Sequence, residues 1–334
     1  MPKWLNAFAD KPFQSPLGKL TPIGRALETE GYYVWCSAPI DGPDGKVHLF
    51  YSRWDAAKKM AGWINGSEIA HAVADSPESP FIHKEVVLAS RKGFFDATTC
   101  HNPLVVFVDG KYCLFYMGNN NGKTNTKRIG MAMADSLDGP WTRIDSPLLE
   151  AGPYGTWDDH CTTNPAFIKR DDGKYWLYYK SWNTKDEETA TGVIKGNRKY
   201  GLAMADKLEG PYIKYEGNPV IDFSVKGDNK QFEDAFIWKQ NNELNIIARD
   251  MGVYNHECGL LMHSKKGYHW TEPEIAYNAL NSYIDMPPAP AYLKKYGRLE
   301  RPMLLIRNGK PAYLFGAAQG GKFETSSTFI FKID

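Results

Sequence analysis

Hydrophobic and polar positions alternate along this chain in short runs, and no long stretch follows helical spacing. In KYWLYYKSW the bulky residues Tyr175, Leu177 and Tyr179 fall two apart, the period of a strand. The run recurs. GKVHLFYSRW, GKYCLFYMGN, GKYWLYYKSW, NELNIIARDM and GKPAYLFGAA are five versions of one strand. Each follows another apolar strand, in CSAPI, CHNPLVVFV, TTNPAFIKR, FEDAFIWKQ and LERPMLLIR. With Pro39, Pro103, Pro165, Ala235 and Pro302 as the marker, the repeat intervals are 64, 62, 70 and 67 residues. Third strands follow in SEIAHAVADSPESPF, RIGMAMADSLDGPW, YGLAMADKLEGPY and CGLLMHSKKGYHW, and a more polar fourth, such as WTRIDSPLL, comes next. Asp109-Gly110 and Asp172-Gly173 supply hairpin turns.

Five units of four short strands predict an all-β fold, a five-bladed β-propeller of antiparallel blades forming a single domain over residues 1–334. One blade cannot bury both of its faces, whereas radial stacking buries each against a neighbour. In the last unit SSTFIFKID (326–334) reads as a third strand with no fourth behind it. The segment of about 12–20, PFQSPLGKL, stands in the phase of that missing strand, so the ring is expected to close by pairing of the chain's two ends.

Composition narrows the function. Forty Lys and Arg against 39 Asp and Glu give a net charge of +1, which argues against a dedicated nucleic-acid binder. No apolar run approaches the length of a membrane span. Five cysteines form neither a zinc spacing nor an even disulfide framework. Free thiols and an opening without signal-peptide character favour the cytoplasm, or the periplasm or exterior if a leader has been removed. The oligomeric state is left open.

In a propeller the first strand of each blade lines the axis, and the loops entering it gather on one face, where a site is expected. Those loops place Asp96 and Asp158 at one station, each seven residues before a marker proline and directly after an aromatic, Phe95 or Trp157. At the marker the polar residues change from blade to blade: His101-Asn102, Thr163-Asn164, Glu233-Asp234 and Glu300-Arg301. Such variation around one axis suits an asymmetric polar site, whereas a structural repeat would carry similar residues. Asp96 and Asp158 read equally well as turn caps, and His101 and His160 as satisfied core histidines. Trp63, Trp157 and Trp182 on the rim offer flat faces for sugar rings, and Arg53 joins the substrate-binding set. The loop 118–128 holds Lys123, Lys127 and Arg128 and no acid, which suits an anionic sugar such as a uronate or a sulfated unit, or a solvated loop.

With repeat and marker residues in hand, HNPLVVFVDGKYCLFYMG, TTNPAFIKRDDGKYWLYYKSW, MADSLDGPW, MADKLEGPY and FEDAFIW make the chain resemble the five-bladed propeller glycoside hydrolases, families 43, 62, 32, 68 and 117 among them. The resemblance covers residues 32–334. For family 43 it implies an Asp base on the first blade, an orienting Asp on the third and a Glu acid on the fourth. Glu233 matches the acid, but the two Asp-Pro places correspond to Ala38-Pro39 and Asn164-Pro165. Relocated groups are therefore expected, and family 117 resembles this chain in having a histidine proposed as acid. The expectation is a hydrolase of plant or algal oligo- or polysaccharides. In it Glu233 or His160 gives the proton, Asp158 or Asp96 is the base, and Asp234 and Glu300 orient substrate and tune the acid. His101, Asn102, Asn164 and Arg301 would bind sugar hydroxyls. The alternatives are a non-catalytic carbohydrate-binding propeller and, behind it, a polysaccharide lyase working through His101 or His160. No cofactor is required; a structural divalent cation on the axis, held by His101 or His160, is compatible with the sequence.

Overall fold

The computed structural model describes residues 13–191, 195–289, 293 and 296–334. Strand β1 (Leu20–Leu27) precedes four complete units. The first is β2 (Tyr32–Asp41), β3 (Val47–Asp55), β4 (Glu68–Ala74) and β5 (Ile82–Leu88). The second is β6 (Thr99–Val108), β7 (Lys111–Asn119), β8 (Arg128–Ala134) and β9 (Thr142–Arg143). The third is β10 (Thr163–Lys169), β11 (Tyr175–Ser181), β12 (Lys199–Ala205) and β13 (Ile213–Lys214). The fourth is β14 (Gln231–Gln240), β15 (Glu243–Met251), β16 (Gly259–Ser264) and β17 (Glu274–Tyr277). The fifth unit, β18 (Glu300–Arg307), β19 (Lys310–Gly320) and β20 (Thr325–Ile333), takes β1 as its outer strand. The result is five antiparallel four-stranded sheets in a ring, the five-bladed propeller that the repeat predicts.

The closing strand lies later than expected. Residues 15–18 form a turn, with Gly18 N–H donating to the Ser15 carbonyl, and pairing runs from Leu20↔Ile333 to Leu27↔Thr328. Residue 12 falls outside the described residues. Pro22 and Gly24 obscure this strand in the sequence, but an outer strand needs ladder bonds on one side only, so a proline is tolerated there. The register slips at both interruptions, between Pro22 and Gly24 and between Arg25 and Leu27.

The hairpins follow their turn residues. Asp109-Gly110 and Asn308-Gly309 both carry positive φ throughout (52° and 78°, 52° and 72°), the type I′ turn that matches strand twist. Between blades the inner strands bury apolar side chains such as Leu49, Phe115, Leu177, Ile246 and Phe315. Met131 belongs to this packing.

Blade one buries a histidine pair. His48 Nδ1 lies 2.8 Å from His71 Nε2, and the His71 ring stacks on Phe50 at 4.6 Å. Burial, then the charges of His48 and Lys84, lower the His71 pKa from 6.5 to about 4. The unfolded chain therefore binds a proton that the folded one refuses between these values. This contribution to stability is complete above about pH 6.5 and is lost as pH falls towards 4. Urea midpoints taken across that window should fall less steeply for His71→Asn than for wild type; equal slopes would contradict it.

Candidate active site

Each first strand carries a β-bulge just inside the axis. Pairing breaks between Trp35 and Ala38, His101 and Leu104, Thr163 and Ala166, Glu233 and Phe236, and Glu300 and Met303. Directly after the first residue of each break the backbone turns left-handed, at Cys36 (φ 51°), Asn102 (56°), Asn164 (48°), Asp234 (63°) and Arg301 (55°). Asn and Asp accept this conformation readily, whereas Cys and Arg do so against steric cost. The structural equivalent of Asn102-Pro103 in blade one is thus Cys36-Ser37. The marker at Pro39 therefore stands two residues later than Ser37, the structural equivalent of Pro103.

The five left-handed residues form a chain of contacts around the axis. The Cys36 thiol donates to Asn102 Oδ1 (2.7 Å), and Asn102 Nδ2 donates to Asn164 Oδ1 (2.9 Å). Asn164 Nδ2 donates to Asp234 Oδ1 (2.6 Å), which also accepts from Arg301 Nη1 (3.0 Å). Burial pushes the Cys36 thiol well up, keeping it protonated as the ring requires. Arg301 interacts electrostatically with that thiol and so completes the circuit. Asn102, Asn164, Asp234 and Arg301, expected to bind substrate or assist catalysis, therefore spend polar atoms on one another. Each nevertheless lines the cavity above.

Preceding each of them is a second layer: Trp35, His101, Thr163, Glu233 and Glu300. Of these, Trp35, His101, Glu233 and Glu300 face a cavity of about 180 Å³, together with Trp54, Met60 and Trp63. Cations crowd the same cavity: Lys127, Lys180, Arg198, Arg249 and Arg301, against the carboxylates Glu233, Asp234 and Glu300. Lys180 and Arg249 were missed in the sequence. They pair directly across the sheet with Thr163 and Glu233, and a lone cation ending an apolar run (LYYK, NIIAR) was the available signal. Arg198 was missed as well, although it precedes its third strand as Lys127 precedes β8.

Glu233 sits in a cage. Lys180 bonds Oε1, Arg198 Nε lies 3.3 Å from it, and Arg249 Nη1 is 3.6 Å from Oε2. Desolvation alone would raise the Glu233 pKa, but these three cations outweigh it together and hold the carboxyl well below its usual range. Arg249 Nη1 also donates to Glu300 Oε2 at 2.6 Å. Across the funnel His101 accepts from or donates to Ser67 through Nδ1 (2.8 Å), with Trp54 and Trp63 packed on its ring. Burial and the nearby Arg301, Lys127 and Lys180 keep it neutral. Lys127, similarly desolvated, has its pKa lowered to about 8.

The structure does not bring Asp96 and Asp158 into this cavity. Asp96 is fully buried in its own blade, accepting from Tyr116 Oη (2.8 Å), Arg143 Nη1 (3.0 Å) and Arg91 Nε (3.2 Å). Asp158 repeats the pattern with Tyr179 Oη (2.9 Å), Lys214 Nζ (2.6 Å) and Thr156 Oγ1 (3.1 Å). Each latches the loop entering a blade to that blade's second and fourth strands. The shared station was legible; its direction was not. Asp96→Asn should cost about 3–5 kcal/mol, the usual result of breaking a buried pair, while activity per folded molecule stays unchanged. A urea curve and an active-site titration check this.

His160 stands at the rim between Thr124 Oγ1 (2.9 Å) and Thr184 Oγ1 (3.3 Å), stacked on Trp182. Trp182 is itself buried, its Nε1 donating to Glu187, and Trp157 stacks on Tyr179 outside the cavity. Arg53 pairs with Glu68 (2.8 Å) and covers Tyr32, away from the funnel. Among the described residues no three His, Cys, Asp or Glu side chains on the axis bring ligand atoms within 4.8 Å of one another. The group that does lie together, His48, His71 and Asp138, belongs to blade one's histidine pair, and Asp138 is tied to Lys84. No helix among the described residues is long and apolar enough to cross a membrane.

A family 117 glycoside hydrolase of the marine bacterium Zobellia galactanivorans superposes with a TM-score of 0.68 at 20% identity, over 96% of this chain and 91% of that one. The endo-arabinase of Bacteroides thetaiotaomicron VPI-5482 gives 0.60 at 13% identity, over 95% and 98%. The chain resembles the five-bladed propeller glycoside hydrolases. In sequence it is similar to extracellular endo-α-(1→5)-L-arabinanase 2 of Bacillus subtilis (strain 168), 26% identical over 282 residues, covering 78% of this chain and 50% of the relative. It is similar too to the corresponding Thermotoga petrophila enzyme, 24% identical over 135 residues, or 34% and 28%. The chain thus spans half or less of the length of these curated relatives. No protein-family model matches.

Proposed function

We propose that the chain is a glycoside hydrolase whose reaction chamber is the axial funnel, with His101 and Glu233 as the groups that meet the scissile bond. The observation that carries this is their placement. They hold equivalent stations on the second and fourth blades, which are not neighbours in the ring, so they approach a sugar from different walls of one cavity. Hydrolysis requires a proton donor to the leaving oxygen and a base or nucleophile on the opposite face. Glu233, held ionised by its cage, supplies the second role. His101 acts as its imidazolium, Nδ1–H donating to Ser67 and Nε2–H giving its proton to the leaving oxygen. The neutral ring takes that proton from solvent before the step, and Glu233 takes one from the attacking water or forms the glycosyl bond itself. This assignment exchanges the role expected of Glu233 and replaces His160 and the two buried aspartates. Trp35 and Trp63 provide the flat faces, Glu300 and Asp234 position substrate and neighbours, and the step calls on no cofactor.

A specific observation favours a second reading. With Cys36 and Asn164 locked into the axial ring, the funnel lacks two carboxylates of the family 43 set, as a carbohydrate-binding propeller without chemistry would. A product screen on neutral and acidic plant and algal oligosaccharides separates the two. New reducing ends support the hydrolase, and binding without product supports the recognition propeller. An unsaturated product absorbing in the near ultraviolet would instead mark a lyase.

A further inference from the structure

The funnel holds more positive charge than its own side chains use. Five cations face three carboxylates, and burying an uncompensated charge is costly unless a partner arrives. Several donors have no acceptor: Arg249 Nε and Arg301 Nε and Nη2 are buried without a hydrogen-bond partner. Lys127 shows the imbalance most clearly. It is 4% exposed, and its ammonium lies over two indole faces, 5.6 Å from the centroid of Trp63 and 4.5 Å from that of Trp182. No carboxylate is paired with it among the described residues. On the neighbouring blade Arg198, at the equivalent station, lies 5.2 Å from the same Trp182 ring.

The repeat explains how two such cations come together. Lys127 directly precedes Arg128, the first residue of β8, as Arg198 precedes Lys199, the first of β12. The adjoining pair Gly118↔Arg128 matches Ser181↔Lys199 in register, so both side chains leave their blades at the same height. Asp96 and Asp158 share a station too, but each has cations from its own blade to answer it. Lys127 has an aromatic floor and open cavity instead, and Arg198 divides its charge between Glu233 (3.3 Å), Gln231 and the same cavity.

We propose that the funnel selects an acidic sugar, whose carboxylate or sulfate is bound by Lys127 and Arg198 while its ring packs on Trp63. This rests on the carbohydrate reading above and names the substrate class within it. The bound anion draws Arg198 away from Glu233 and offsets the field of Lys127 at His101. Offsetting Lys127 lets His101 hold the proton it must give, while Lys180 and Arg249 still keep Glu233 ionised, so the charge that binds the sugar also prepares the acid.

The test is calorimetric titration with three matched probes: a galacturonate oligosaccharide, a sulfated galactose oligosaccharide and a neutral galactose oligosaccharide of equal length. Wild type is compared with Lys127→Met and Lys127→Arg, each first checked for an unchanged melting profile. One acidic probe should bind about 10- to 100-fold more tightly than the neutral one, the range of a charge-assisted contact. Lys127→Met should remove that advantage without weakening neutral binding, and Lys127→Arg should restore much of it. The better acidic probe separates carboxylate from sulfate. Equal affinity for acidic and neutral probes overturns the inference and leaves the hydrolase reading intact. Failure of every probe to bind overturns both.

Discussion

Glu233→Gln is expected to abolish turnover, lowering it by about 10²–10⁴-fold, while leaving the protein folded and able to bind sugar. The amide keeps the shape of the side chain but cannot act as base or nucleophile. It also leaves Lys180, Arg198 and Arg249 facing the cavity with one negative charge fewer, so an acidic ligand should be held at least as tightly as by wild type. Initial rates and equilibrium binding measured on the same preparation separate the two effects. Loss of binding together with rate would make Glu233 a ligand for substrate, and an unchanged rate would remove it from the chemistry. The resting pKa adds a pH signature. Because the cage keeps Glu233 ionised far into acid, the acid limb of the rate profile should not show an ordinary carboxylate titration.

Asp234→Ala should produce the largest loss of stability at the site. Asp234 and Arg301 are 5% and 3% exposed, and the carboxylate is the guanidinium's one hydrogen-bonded ion-pair partner among the described residues. Truncation strands a buried charge whose Nε and Nη2 already lack acceptors, and it takes the acceptor from Asn164. A cost of about 3–5 kcal/mol is expected. Replacing both partners, as Asp234→Ala with Arg301→Met, should recover much of it, since removing a pair costs less than stranding half. Urea denaturation of the two single variants and the double gives the coupling directly. Additive effects would show that the axial ring is not a connected structural unit.

The contrast between Asp96 or Asp158 and the marker residues explains what was legible in the sequence. Blade number and strand order were readable because every unit repeats the same hairpins. Within such a repeat, residues that recur at one station serve the blade, as the two buried aspartates do with Tyr116 and Tyr179. Residues that differ from blade to blade serve the axis, as His101, Glu233 and Glu300 do. The first blade resisted this reading because its bulge falls on Cys36, a residue with no preference for left-handed backbone, while Pro39 nearby imitates the marker. The closing strand was obscured by Pro22 and Gly24, breakers that only an outer strand tolerates. Lys180 and Arg249 were obscured by strands whose apolar pattern drew attention away from their last cation.

The most direct test of the proposed chamber is a crystal structure of the Glu233→Gln variant with an acidic oligosaccharide bound. The proposal places one sugar ring within the axial cavity, its acid group on Lys127 and Arg198. The glycosidic oxygen should lie within about 2.6–3.2 Å of His101 Nε2, the reach of a general acid. A sugar seated outside the funnel, or inside it with His101 and residue 233 on the same side of the scissile bond, would contradict it.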